Sequence, residues 1–303
     1  MSSPRKTVYI LAGPTAVGKT AAAIALAKRL GTAIVSADSR QCYEGMTIGT
    51  AKPDAGELEA VPHYFINCFP PTTLLSAADY EKLALGHLQE ILATNNTAVV
   101  CGGTGLYIKA LCEGLDEMPE TNPDISSQVE ATYKEQGITW LQQTMAAEDP
   151  EFYKTGEIHN PARMLRALAF VRTTGTSITQ YRTRQPKVRP FDIVKVALDL
   201  PREVLYARIN SRVDNMLAQG LVAEVQSLVP YRHLKNLQTV GYAEIFDYLD
   251  GNCTLQDATE KIKQHSRNYA KRQITWFKKD TQFNWLSAND PELIEKILQL
   301  PHS

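Results

Sequence analysis

The stretch TVYILAGPTAVGKT, residues 7–20, decides how the rest of the chain is read. Residues 8–11 form a continuous apolar run, the pattern of a strand buried on both faces. The run stops at Gly13, and Gly18, Lys19 and Thr20 complete the spacing G-x-x-x-x-G-K-[ST]. Glycine at those positions lets backbone N–H groups approach a diphosphate, the lysine balances its charge, and the threonine hydroxyl holds Mg²⁺. Residues 21–30 read as a helix that ends near Lys28 and Arg29, so its N-terminus faces the anion. With both flanks in place, Gly13, Pro14, Thr15, Ala16, Val17, Gly18, Lys19 and Thr20 are expected to form a P-loop cradle rather than a chance glycine turn.

A chain of 303 residues with 44% hydrophobic content can bury one large core, or one core with an inserted lobe. A formal net charge of −1 excludes a general basic coat, so any nucleic-acid contact must come from local clusters. Cys42, Cys68, Cys101, Cys112 and Cys253 show no C-x-x-C spacing, which argues against a disulfide framework or a zinc site and for a reducing cytoplasm. The apolar run after Arg5 and Lys6 meets Gly13-Pro14 too soon for a signal peptide. No later run approaches the roughly 20 apolar residues of a membrane span. The expectation is a soluble cytoplasmic protein without a membrane partner.

Along the chain, residues 32–37 read as a second strand ending at Asp38-Ser39-Arg40-Gln41, where a parallel sheet presents its ligand-binding edge. Asp38 is either a turn-forming carboxylate or, beside bound phosphates, a support for Mg²⁺ through water or a proton acceptor. Residues 45–53 read as a loop over the same edge, with Lys52 either touching phosphate or simply solvated. Residues 63–69 are a short strand candidate. Ser76 and Asp79 open a helix running to about residue 93, on which His87 reads as structural. Residues 97–101 are another buried strand, followed by Gly102-Gly103-Thr104-Gly105, where backbone must approach something closely. Thr104 sits either in a tight turn against the P-loop or before a substrate.

Past residue 113 the character changes. Residues 113–160 hold eleven acids against Lys134 and Lys154, whereas residues 161–190 hold Arg163, Arg166, Arg172, Arg182, Arg184, Lys187 and Arg189 without an acid. Helical apolar spacing over 129–145 and 163–171 makes 114–190 a mainly helical insertion with an acidic and a basic part. The core is therefore discontinuous, 1–113 plus 191–303. Residues 193–200 return to a strand, and Pro201 starts a helix carrying Arg208 and Arg212 at i, i+4, facing solvent or an anion. Gly241-Tyr242 precedes another helix. Residues 261–279 hold Lys261, Lys263, Arg267, Lys271, Arg272, Lys278 and Lys279, again without an acid and with Tyr269, Trp276 and Phe277 interleaved. A second acid-free segment in a net-acidic chain favours a polyanion surface. The fold class expected is α/β, a P-loop NTPase-like parallel sheet with a helical insertion domain.

On these residues the sequence resembles the tRNA dimethylallyltransferase family of the bacterial type over nearly its full length. The segments that carry the resemblance are GPTAVGKT at 13–20, SADSRQCYEGMTIGTAKP at 36–53, SAADY at 76–80, GGTGLYIKAL at 102–111, NPARMLRAL at 160–168, RINSRVDNML at 208–217, TVGYAE at 239–244 and AKRQITWFK at 270–278. A P-loop alone is shared with many unrelated proteins; this ordered set is specific. Cys42 is a departure, since a small or aliphatic residue often precedes the tyrosine.

The resemblance implies transfer of a dimethylallyl group from its diphosphate to N6 of the adenine just 3′ of the anticodon, position 37, with Mg²⁺ as cofactor and Thr20 as its ligand. It implies Asp38 as general base, with Thr15, Lys19, Thr20 and Arg212 stabilising the departing diphosphate and Arg208 the second choice for that arginine. Thr104, Ser39, Arg40 and Gln41 would hold the target nucleotide beside Asp38. Arg163, Arg166, Thr239, Gly241, Tyr242, Lys271, Arg272, Gln273, Trp276 and Lys278 would grip the anticodon stem-loop of tRNA, with the insertion domain as part of that grip. A monomer is expected. The rival enzymes are a prenyltransferase acting on free adenine nucleotides and a P-loop small-molecule or nucleoside kinase; the rival outside enzymes is a nucleotide-gated RNA-binding module.

Overall fold

The computed structural model describes residues 6–155, 157–183 and 185–301; Arg5 and Arg184 lie outside them. The chain divides into two compact units, Met1–Gly114 with Val188–Ser303, and Leu115–Lys187. The first unit begins with β1 (Thr7–Ala12), α1 (Lys19–Leu30), β2 (Ile34–Ser36), α2 (Ala55–Ala60), β3 (His63–Tyr64), α3 (Ala77–Thr94), β4 (Thr97–Gly102) and α4 (Gly105–Glu113). The second unit holds α5 (Pro123–Glu148), α6 (Pro150–Lys154) and α7 (Pro161–Thr174). The first unit resumes with β5 (Asp192–Asp199), α8 (Arg202–Ala218), α9 (Leu221–Ser227), α10 (Tyr242–Leu249), α11 (Leu255–Phe277), β6 (Asn284–Ser287) and α12 (Leu293–Leu298).

The strands form one sheet in the order β3-β2-β4-β1-β5-β6, and every pairing in it is parallel. β1 is buried along its length because both faces of the sheet are covered. Val8, Ile10 and Ala12 belong to the core on one face, Tyr9 and Leu11 to the core on the other. The register sets Ala12 beside Gly102 and Ala197, so β1 and β4 end level with one another while β5 runs on to Asp199. That common edge is where a parallel sheet presents its ligand crevice.

The strand candidate at 63–69 shrinks to His63–Tyr64. Phe65 and Asn67 take positive φ angles of 64° and 51°, which no strand can continue through, and Phe69 makes only an isolated bridge to Tyr43, outside the sheet. α3 starts as its sequence dictates, with Ser76 and Asp79 in a reciprocal capping box.

The second unit has its own core, in which Leu141 and Met145 of α5 join Met164, Leu168 and Phe170 of α7. Apolar spacing continues through α5, yet the helix breaks at Gly137, where φ is 75° and ψ −166°. Asn122 and Asn160 cap α5 and α7, each followed by proline at the first helical position. Arg189, read with the basic part of the insertion, lies in the first unit. It is buried, and its guanidinium donates to Glu81 Oε1 at 2.7 Å and to the Ala110 and Leu111 carbonyls at 2.8 Å, closing the end of α4.

Candidate active site

Backbone strain and close packing shape the loop between β1 and α1. Gly13 has φ +145°, and a Cβ there would stand 2.7 Å from the Leu198 carbonyl oxygen of β5. Ala16 and Gly18 also have positive φ, 63° and 109°, so successive peptides turn inward ahead of α1. The Lys19 ammonium folds back and donates to the Pro14 carbonyl at 2.7 Å. Burial pushes its pKa down to about 8; Arg212 pushes the same way, while Cys101 and Asp38 oppose it.

Beside this loop lies a cavity of about 120 Å³. Thr15, Asp38 and Arg212 meet there, with Gly49, Thr50 and Ala51 on one wall and Ile209, Val213 and Met216 of α8 on another. Ile262 and Tyr269 of α11 add to the lining. Asp38 Oδ1 accepts the backbone N–H groups of Arg40 at 2.8 Å and Gln41 at 3.3 Å. The carboxylate is therefore a turn former through one oxygen, and the turn fixes where the other oxygen stands. The Arg212 guanidinium donates to the Thr15 hydroxyl at 3.4 Å, and burial lowers its pKa. One cavity thus offers a carboxylate, the Thr15 hydroxyl of the P-loop beside the Arg212 guanidinium, and apolar walls. It suits a ligand with an anionic head, an apolar tail and an exchangeable proton nearby.

The IPP transferase family model matches residues 41–280. The chain belongs to the IPP transferase family. It is similar to tRNA dimethylallyltransferase 1 of Bacteroides thetaiotaomicron, 42% identical over 97% of this chain and 96% of that protein. The solved tRNA isopentenylpyrophosphate transferase of Bacillus halodurans superposes with a TM-score of 0.71 at 37% identity, covering 98% of this chain and 94% of that one. A eukaryotic dimethylallyltransferase solved acting on tRNA shares the fold, with a TM-score of 0.78 at 24% identity over 94% of this chain and 74% of that one.

Several residues expected to contact ligand in this IPP transferase are occupied in shaping the site. Arg208 donates to the Val17 carbonyl at 3.2 Å and to Asn289 at 2.9 Å, bracing the P-loop, whereas Arg212 lines the cavity. Gln273, expected on the tRNA grip, is buried; it accepts the Thr15 N–H at 2.8 Å and donates to the Gly103 carbonyl at 2.9 Å, tying the P-loop to the turn before α4. Thr104 Oγ1 accepts the Ser39 N–H at 3.0 Å, and Gly102 lies so close to Ala37 that a Cβ would meet its carbonyl oxygen at 2.2 Å. The close approach signalled by the glycines is therefore chain against chain. Gln41 donates to the Thr50 and Ala51 carbonyls at 3.2 and 3.0 Å. Arg40 donates to the Ser39 carbonyl at 3.0 Å. Lys52 reaches Tyr43 O and Asn67 Oδ1, which leaves its ammonium committed within the fold.

Tyr242, also expected at the tRNA surface, is fully buried and hydrogen-bonds Glu224 at 2.6 Å. Thr239 accepts the N–H groups of Tyr242 and Ala243 at the start of α10, and Gly241 borders the cavity. Lys271 and Arg272 are exposed on α11 and Lys278 just past its end, and Trp276 is partly exposed against Gly105, where a Cβ would meet its ring at 2.2 Å. In the second unit Arg163 pairs with Glu157, and Arg166 is exposed. Ile209, Val213 and Met216 went unnoticed because an i, i+4, i+7 apolar face reads as ordinary core. Only the neighbouring Arg212 hinted otherwise.

Thr20 opens onto a recess of about 20 Å³ bordered by Ser36, Gln41 and Cys101. Among the described residues no cluster of His, Cys, Asp and Glu suits a metal by itself. In a P-loop such a hydroxyl is the protein's ligand to a magnesium ion that otherwise keeps water and substrate phosphate oxygens.

Proposed function

We propose that this chain, a tRNA-prenylating transferase like the relatives it matches, moves a dimethylallyl group from dimethylallyl diphosphate to N6 of the adenine 3′ of the tRNA anticodon. The observation that carries the reading is the shared cavity, in which Asp38 faces the Thr15–Arg212 end of a P-loop across apolar walls. The exocyclic amine attacks C1 of the allylic donor, the C–O bond breaks, and diphosphate leaves with the bonding electrons. The amine proton passes to the Asp38 carboxylate, whose Oδ1 is held by the two turn amides while Oδ2 remains to receive it.

The P-loop amides, Lys19 and Arg212 stabilise charge as it grows on the diphosphate, and Arg208 holds the loop in shape. Thr20 would hold Mg²⁺ against the diphosphate, where the ion supplies further neutralising charge. Ile209, Val213 and Met216 take the apolar tail. The target base must leave the anticodon stack to reach this depth. Exposed Lys271, Arg272 and Lys278 supply phosphate contacts, and the protein acts in the cytoplasm as a monomer.

The decisive experiment is mass analysis of adenosines from tRNA incubated with purified protein, dimethylallyl diphosphate and Mg²⁺. A gain of one C₅H₈ unit at that adenine is expected. Prenylation of free adenine nucleotides with tRNA left unchanged, or transfer of a γ-phosphoryl group from ATP to a small acceptor, would overturn the reading.

A further inference from the structure

Glu224 stands on α9, outside every segment so far assigned to the reaction. Its Oε2 accepts the backbone N–H groups of Thr47 at 3.0 Å and Ile48 at 2.7 Å, and its Oε1 accepts Gly49 N–H at 3.0 Å and the Tyr242 hydroxyl at 2.6 Å. Three consecutive amides converging on one carboxylate form an anion nest, filled here from the protein itself. The Tyr242 ring presses on the same turn: a Cβ on Gly49 would stand 2.5 Å from it.

The chain that leaves this nest is the cavity wall. Gly49, Thr50 and Ala51 line the space with Asp38. Ala51 is held at φ 48°, a left-handed conformation that a non-glycine residue keeps only when its surroundings impose it. From the Asp38 side, the Gln41 amide grips the Thr50 and Ala51 carbonyls. The wall is thus suspended between Gln41 and Glu224. No bond from Glu224 reaches residues 13–20 among the contacts described.

Resting on the prenyl-transfer reading above, we infer that Glu224 is a positioning residue: by fixing residues 47–51 it holds the accepting adenine against Asp38, while the diphosphate is bound independently of it. Removing the negative charge leaves three amides competing for a weaker acceptor, so the wall relaxes away from Asp38 and the near-attack geometry is lost.

The test is single-turnover prenylation of tRNA, measured with donor affinity and thermal unfolding, for Glu224→Gln, Glu224→Asp and Tyr242→Phe. Glu224→Gln should lower the single-turnover rate about 10- to 100-fold with donor affinity within about twofold of the original, the signature of lost positioning. Glu224→Asp keeps the charge and should recover part of that rate. Tyr242→Phe removes one of four donors and should cost about two- to fivefold; if Glu224→Gln does not fold, this variant decides, and an unchanged rate overturns the inference. An unchanged rate in Glu224→Gln, or a fall in rate matched by an equal fall in donor affinity, overturns it as well. Absence of tRNA prenylation by the unaltered protein would instead strike the proposed function itself.

Discussion

Residues 161–187 hold six cationic side chains and residues 261–279 hold seven, both without an acid, yet folding treats the two stretches in opposite ways. In the first, the acids missing from the stretch arrive from elsewhere in the same unit. Arg172 makes a bidentate pair with Glu148 at 2.7 and 2.8 Å, Glu157 stands between Arg163 and Arg182, and Lys187 lies 4.0 Å from Glu117. The pairing is strong enough that the Arg172 hydrogen bond holds the Glu148 carboxyl below its ordinary range. In the second stretch, Lys271, Arg272, Lys278 and Lys279 are exposed and have no ion-pair partner among the described residues. Two of them lie over aromatic rings instead, Arg272 over Tyr269 at 5.6 Å and Lys278 over Trp285 at 5.8 Å. A cation on an aromatic face keeps its charge for an incoming phosphate, whereas a cation paired with a carboxylate must first give it up. A run of like charge in sequence is therefore a poor measure of field at the surface.

The largest effect should come from a change that touches neither stretch. Asp38→Asn keeps the shape of the turn but cannot take the proton, so single-turnover prenylation should fall about 10²- to 10⁴-fold while tRNA affinity and its salt dependence stay as they are. A parallel loss of tRNA affinity would mean that the cavity, not α11, carries the grip. Next comes Lys271→Ala with Lys278→Ala, which should weaken tRNA binding about tenfold and reduce the salt slope by roughly two phosphate equivalents. Binding isotherms over a salt series decide this, and an unaltered slope would remove α11 from the interface.

The donor side sharpens the contrast through pH. Lys19, lowered to about 8 by burial, is cationic in the empty site below that pH and neutral above it. Affinity for dimethylallyl diphosphate should hold at lower pH and then fall by up to about tenfold per unit above pH 8. Folding stability moves the other way. An unfolded lysine keeps its proton to about pH 10.4, so the unfolded chain binds more protons in the interval and the Lys19 contribution to stability rises with pH there. Donor titrations from pH 7 to 9.5 check the first statement, and a flat profile would detach Lys19 from the diphosphate.

The two smallest effects probe the second unit. Glu157→Gln frees Arg163 and Arg182 and should tighten tRNA binding about two- to fourfold with a steeper salt slope. Arg163→Ala, in contrast, removes a cation already neutralised and should weaken binding by less than about threefold. If Arg163→Ala proves as costly as the α11 double substitution, the two stretches are alike after all.

Reading the P-loop from residues 7–20 succeeded because it is a local object: strand, glycine-bounded turn and helix follow one another, and their conformations depend on nearby side chains. Ser76 with Asp79 was legible for the same reason. The burial of Gln273 and Tyr242 was not legible because both lie in segments with the polar and aromatic character of a surface. Their partners, Thr15 and Gly103 in one case, Glu224 and Gly49 in the other, are distant in sequence. The glycines at 102, 103 and 105 correctly announced a close approach, but not whether chain or ligand would make it.

By itself, then, the sequence determined the α/β class, the glycine-bounded loop between β1 and α1, the carboxylate that follows β2 and the family. Each of these is written in short-range periodicity or in a contiguous motif. Only the tertiary structure decided that Arg212 rather than Arg208 borders the cavity, that Glu224 holds its wall, and that four cations of the first basic stretch are ion-paired while Lys271, Arg272, Lys278 and Lys279 of the second are not, among the described residues. Those outcomes depend on which side chains the parallel sheet and its crossovers bring within hydrogen-bond reach, and Coulomb and hydrogen-bond energies fall off with distance in space, to which distance along the chain is no guide.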